Sequence, residues 1–104
     1  WGAPLNSKTA FEYIMKYDPY LNVKEQKYPN LYFQNSVADP RVGFWESLKV
    51  IQKIREKKTD SSPIIMRCDL AASHGGASSR WDALKKDVIP EQAWILKLFN
   101  KHKP

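Results

Sequence analysis

The chain has 104 residues and carries 17 Lys and Arg against 11 Asp and Glu, a formal net charge of +6, and a length of this order supports one small domain with a thin core. No apolar run approaches the roughly 18 residues that a membrane-spanning helix needs, and a single cysteine, Cys68, excludes an internal disulfide. The first residues, Trp1-Gly2-Ala3-Pro4, hold no initiator Met and no charged or apolar leader segment, so they read as neither a signal peptide nor a natural start.

Residues 7–17 open on Ser7, an N-cap residue, and space Ala10, Phe11, Ile14, Met15 and Tyr17 at helical intervals until Asp18-Pro19 stops them. From Tyr20 to Asn30 no period is visible, and the stretch reads as loop. Leu31 to Asn35 is short and aromatic-rich, the pattern of a strand buried on both faces of a parallel sheet, and Ser36 to Pro40 forms its C-terminal loop. Gly43 to Lys58 repeats apolar residues every three or four positions, with Phe44, Leu48 and Ile51 flanked by Trp45 and Ile54, and predicts an amphipathic helix.

Lys58 to Ser62 is a turn cluster, after which Pro63 opens a second strand over Ile64 to Leu70. Cys68 falls inside this apolar run and reads as a buried, reduced thiol, which suits a cytosol-like compartment. A helix joining two buried strands implies a right-handed parallel crossover. Ala71 to Arg80, with Gly75-Gly76, is loop; a short helical turn follows around Trp81 to Lys86. Pro90 then fits the first position of a last helix, whose apolar face holds Trp94, Ile95, Leu98 and Phe99. Trp45, Trp81 and Trp94 read as core, or as surface that packs on further sheet.

The basic excess is concentrated at Lys49, Lys53, Arg55, Lys57 and Lys58 along one helix, and at Lys97, Lys101 and Lys103 near the end of the chain. Solvated helix faces and last helical turns ordinarily carry such charge. With no aromatic-interleaved basic stripe or nucleic-acid fold signature, neither a nucleic acid nor a membrane is expected as partner. His102 lies in this Lys-rich end and reads as solvated. No Cys/His set has metal-ligand spacing and no Gly-rich loop suits a nucleotide phosphate, so no metal and no cofactor is expected.

The chemistry-bearing pair is Asp39, in Ala-Asp-Pro-Arg-Val, and His74, in Ser-His-Gly-Gly. Each follows a strand-like run and one helix lies between them, the order in which an α/β-hydrolase delivers the last two members of a Ser…Asp…His triad. A parallel sheet places its working loops just past the carboxyl ends of its strands, and an imidazole acting as base needs a carboxylate on its other nitrogen. From spacing alone an ordinary loop His and an Asp-Pro turn remain the competing reading. Asp69, five residues from His74, is an alternative carboxylate. Arg41, two residues past Asp39, is either a surface ion-pair partner or a fork of donors beside the cleft.

Trp1-Gly2 with Pro4, Tyr17-Asp18-Pro19-Tyr20 with Asn22-Val23, Tyr28-Pro29, Asp39-Pro40-Arg41-Val42, Trp45-Glu46 and Ser73-His74-Gly75-Gly76 appear in an order and spacing that resemble the prolyl oligopeptidase family of serine peptidases, most of all its oligopeptidase B branch. The likeness covers roughly residues 1–81 and is loose from Asp82 onward. It implies that Asp39 is the triad carboxylate, that His74 is the general base, and that Arg41 reaches a main-chain carbonyl of a bound peptide. Pro40 departs from the family's usual small or acidic residue, at a position without a catalytic role.

The expectation is therefore an α/β chain, the C-terminal portion of an α/β-hydrolase peptidase domain over residues 1–104, built on a parallel β-α-β unit with flanking helices. The Gly-x-Ser-x-Gly elbow, the oxyanion donors and the gating propeller of the family lie outside these residues. The expected function is hydrolysis of short peptides, with cleavage after Arg or Lys implied by the resemblance, in the cytoplasm, and with the chain inactive alone. Its partners are short peptide substrates, the remainder of the same domain, and another copy where the isolated chain self-associates. An esterase-like α/β-hydrolase and a catalytically inert basic interaction module are the alternatives.

Overall fold

Leu31–Ser36 and Ile64–Asp69 pair as strands β1 and β2 of a two-stranded sheet in the computed structural model, which describes residues 2–74 and 79–101. Leu31 N–H donates to the Pro63 carbonyl at 3.0 Å, and Val37 N–H donates to the Asp69 carbonyl at 2.8 Å. The sequence offset is the same at both ends and in the same direction, which is the register of parallel strands. In chain order the helices are α1 (Lys8–Met15), α2 (Phe44–Lys57), α3 (Arg80–Ala83) and α4 (Ile89–Lys101), with α2 connecting the two strands. The expected boundaries of both strands and of α2 hold to within one residue.

The chain forms two units, Trp1–Leu31 with Leu48–Ile64, and Tyr32–Ser47 with Ile65–Pro104. In the first, Ser7 caps α1 by accepting from Ala10 N–H at 3.3 Å. Beyond the helix, Asp18 accepts from Leu21 N–H at 2.7 Å, and the Asn22 amide donates to the Met15 and Asp18 carbonyls at 2.8 Å each. The helical period of α2 turns Ile51 and Ile54 inward, where they form the core with Ile64. Ile51 is fully buried, so Ile51→Ala is expected to cost about 2–5 kcal/mol.

The turn cluster after α2 is a polar hub centred on Asp60. Its carboxylate accepts from Tyr28 N–H at 2.7 Å and Ser62 N–H at 3.1 Å, and faces Lys58 Nζ at 3.1 Å. The Ser62 hydroxyl has one proton and two acceptors at 2.5 Å, Asp60 Oδ1 and the Tyr28 carbonyl. Donation from Ser62 is the largest influence on Asp60; with Lys58 and the two backbone N–H groups it outweighs desolvation and holds the carboxyl far below its usual range. A parallel bridge between Gln26 and Lys58 ties the preceding loop to the same place.

In the second unit, Ser79 caps α3 by accepting from Asp82 N–H at 3.1 Å. Two helices separated by a break were expected here. The structure instead continues from Arg80 to Lys101 through a π-helical turn, Leu84–Val88. Pro90 supplies the reason: it has no N–H, and in a regular helix its ring collides with the carbonyl four residues earlier. The wider turn, in which Ile89 N–H reaches the Leu84 carbonyl, absorbs that mismatch.

Three burial expectations are corrected. β1 and Cys68 are half-buried instead of buried, because each strand has one sheet neighbour among the described residues. Trp45 and Trp81 are exposed, which excludes the core and leaves the surface reading of these two residues. On α4, Trp94, Ile95 and Leu98 turn inward, with Trp94 at 5.4 Å from the Tyr32 ring, while Phe99 stands in solvent at 69% exposure.

Candidate active site

Both working loops of the second unit begin where a parallel strand ends. After β1 the chain turns through Ser36 and Asp39, whose N–H donates back to the Ser36 carbonyl at 3.4 Å. Asp39 Oδ1 then accepts from Arg41 N–H at 2.8 Å and Val42 N–H at 3.0 Å. This is the local habit of an Asp that opens a turn, and it fixes the carboxylate without using Oδ2. Before α2, a Cβ on Gly43 would meet the exposed Trp45 ring at 2.2 Å, so a larger residue there would displace that ring.

After β2, Asp69 performs the matching operation, its Oδ1 accepting from Ala71 and Ala72 N–H at 2.9 Å each. The Ser36 hydroxyl donates to the Ala72 carbonyl, and Ala72 itself is buried. Arg67 pairs through Nη1 with Asp87 of the π turn, and its Nη2 lies 3.9 Å from Asp69 Oδ2. Two residues past Ala72 stands His74.

His74 Nδ1 lies 2.8 Å from Asp39 Oδ2 and 3.0 Å from Oδ1. An ionised carboxylate only accepts, so Nδ1 carries the proton and Nε2 of the neutral ring keeps its lone pair. The Asp39 side chain is 12% exposed and that of His74 44%. Desolvation pushes the Asp39 carboxyl up, but the N–H groups of Val42 and Arg41, then the hydrogen bond of His74 and the charge that ring carries when protonated, outweigh it and hold it below its ordinary value. The site thus pairs a charged, fixed carboxylate with an accessible imidazole.

Asp69, the alternative carboxylate, is occupied by its own loop; donation from Ala71 and Ala72, against desolvation and aided by Lys86 and Arg67, lowers its pKa. Arg41 is exposed, and among the described residues its guanidinium has no carboxylate partner. It lines a recess of about 400 Å³ with Pro40, Ser73 and His74. Asp39, Asp69, His74 and Asp87 border a larger cleft of about 550 Å³. Gly75, Gly76 and His102 lie outside the described residues. Among the described residues no group of three or more His, Cys, Asp or Glu side chains is arranged to hold a metal ion.

The sequence reading missed Ser36 and the loop-holding work of Asp69. An Asp at a strand end, with small residues two and three positions later, was the available signal for the second.

The model of the Prolyl oligopeptidase family matches residues 1–102. Among curated proteins the chain is similar to Protease 2 of Moraxella lacunata, 37% identical over 92% of this chain and 14% of that protein. Dipeptidyl aminopeptidase BI of Pseudoxanthomonas mexicana is 33% identical over 78% of the chain and 11% of its own length. Among solved structures, oligopeptidase B from Trypanosoma brucei with covalently bound antipain, in its closed form, has a TM-score of 0.88 at 42% identity, over 96% of this chain and 14% of that one. Oligopeptidase B from Leishmania major gives 0.86 at 38%, over 93% and 13%. The chain thus spans between 11% and 14% of the length of these relatives, and on the family match it belongs to the prolyl oligopeptidase family.

Proposed function

We propose that this chain supplies the acid and base of a Ser-Asp-His triad in a serine oligopeptidase, as the C-terminal portion of an α/β-hydrolase domain whose nucleophile and oxyanion donors come from sequence beyond these 104 residues. The observation that carries this reading is the contact of His74 Nδ1 with Asp39, on two loops that follow adjacent parallel strands. With Nδ1–H held by Asp39, Nε2 is left to take the proton of a serine hydroxyl as it attacks a peptide carbonyl. The resulting imidazolium is stabilised by the Asp39 charge and returns its proton to the leaving amine. Water then repeats the cycle on the acyl-enzyme.

Arg41, exposed beside His74 in the smaller recess, presents donors suited to a substrate main-chain carbonyl. Cleavage after Arg or Lys and a cytoplasmic setting belong to the same reading; the first rests on the likeness to oligopeptidase B and the second on the lone Cys68 thiol.

The test is kinetic. In the full-length protein, short peptides ending in Arg or Lys at the cleaved bond are to be compared with neutral peptides and simple esters, for wild type and His74→Ala. Loss of peptide turnover by several orders of magnitude in His74→Ala is expected. A variant within tenfold of wild type would remove His74 from the role of base, and turnover of esters alone would replace the peptidase by an esterase.

A further inference from the structure

Ala72 is held on every side. Its N–H donates to Asp69 Oδ1 at 2.9 Å, its carbonyl accepts from the Ser36 hydroxyl, and the residue as a whole is buried at 6% exposure. Ser36 is itself buried at 6%, and its carbonyl accepts from Asp39 N–H at 3.4 Å. One residue therefore touches both loops: through its backbone the one that carries Asp39, and through its side chain the one that carries His74. Asp69 anchors the second loop from the opposite end, at the last residue of β2. The Arg67–Asp87 pair braces that anchor, since Arg67 reaches toward Asp69 Oδ2 with its other nitrogen.

A buried hydroxyl facing a carbonyl and a carboxylate facing two amides are satisfied polar contacts whose loss leaves unpaired groups in place. Such a loss need not unfold the unit. It frees the five-residue path from Leu70 to His74 to shift, and a catalytic group displaced by about 1 Å costs on the order of a hundredfold in rate.

We infer that Ser36 and Asp69 are positioning residues that set the Asp39–His74 contact by fixing both polar groups of Ala72. The inference rests on the triad reading and adds to it two residues that act through the loops of Asp39 and His74. Asp69 acts as a hydrogen-bond acceptor rather than as a charge, because two amides are its nearest partners while Arg67 stands at 3.9 Å.

The experiment uses the full-length protein with a short fluorogenic peptide, comparing wild type, Ser36→Ala, Asp69→Ala, Asp69→Asn and His74→Ala. Each variant is also followed by thermal melting and by the low-field proton resonance of His74 Nδ1–H. Ser36→Ala and Asp69→Ala are expected to lower kcat roughly ten- to a hundredfold at unchanged KM, with a cooperative melt retained and the Nδ1 resonance broadened or lost. Asp69→Asn, whose side-chain oxygen accepts the same two N–H groups, is expected to keep most of kcat and the resonance. If Asp69→Ala loses its melt, Ser36→Ala carries the test, since it removes a single oxygen.

Wild-type kcat and an unchanged resonance in Ser36→Ala would overturn the inference while a dead His74→Ala leaves the triad intact. Asp69→Asn falling as far as Asp69→Ala would overturn the acceptor role. An active His74→Ala would remove the triad reading and this inference with it.

Discussion

Asp39 meets His74 with both oxygens of its carboxylate, Oδ2 at 2.8 Å and Oδ1 at 3.0 Å from Nδ1, while Oδ1 also accepts the N–H groups of Arg41 and Val42. The same atom thus shapes its own turn and faces the imidazole. This ties the tautomer of His74 to the conformation of the Asp39 loop.

Replacing Asp39 by Asn keeps an acceptor for the turn but offers the imidazole an amide in place of an ionised carboxylate. The expected result is a fall in kcat of about four orders of magnitude on peptide substrates, with KM little changed, because the imidazolium loses its counter-charge and the ring its preferred tautomer. Steady-state kinetics of the full-length protein measure this; a loss within tenfold would separate the Asp39–His74 contact from catalysis.

Arg41 is expected to act on binding. Its guanidinium is exposed beside His74 and has no carboxylate partner among the described residues. Arg41→Ala should therefore remove a charge-assisted contact to the substrate worth about 1–3 kcal/mol, read as lower kcat/KM on peptides with the thermal midpoint unchanged. A lowered midpoint with normal kinetics would return Arg41 to a structural role.

Asp60 supplies a prediction about acid. Its pKa is lowered in the folded chain, chiefly by the Ser62 hydroxyl and then, against desolvation, by Lys58 and the N–H groups of Ser62 and Tyr28. A carboxyl whose folded value lies below its unfolded one stabilises the fold in full above the unfolded value of about 3.9 and loses that contribution as pH falls toward the folded value. Asp60→Asn should reduce stability at neutral pH and flatten its decline below about pH 4. Denaturant midpoints measured across that range, in the full-length protein, check the sign: a mutant whose acid decline parallels wild type would exclude Asp60 as a source.

How much of this was legible in the sequence depended on range. The period of α2 and the compact apolar runs at Leu31 and Ile64 reported their own structure, since each is a local pattern that burial and backbone pairing enforce. Asp39 and His74 were legible through their order on either side of α2 and through the motifs around them. The Ser36–Ala72 bond was not, because it joins two loops that share no local signal. The Pro90 position was read as a helix start because proline favours that place; the π turn that lets the helix pass through it depends on a backbone adjustment invisible in residue types.

The last prediction concerns the 104 residues alone. Each strand has one sheet neighbour among the described residues, which leaves backbone donors and acceptors along two edges. In the second unit Leu70, Trp81, Leu96 and Phe99 are each at least 60% exposed. The Tyr32 hydroxyl and Asn35 Oδ1 are buried without a hydrogen-bond partner among the described residues, although buried polar atoms nearly always have one. Strand edges, apolar side chains and orphaned polar atoms together call for further protein against this chain. Expressed by itself, it is therefore expected to self-associate through an edge or an exchanged element and, with the nucleophile proposed to come from further sequence, to show no peptidase activity. Sedimentation velocity and a fluorogenic Arg-peptide assay test the two halves. A monomer with a cooperative unfolding transition would overturn the first, and turnover abolished by His74→Ala in the isolated chain would overturn the second by placing the nucleophile within it.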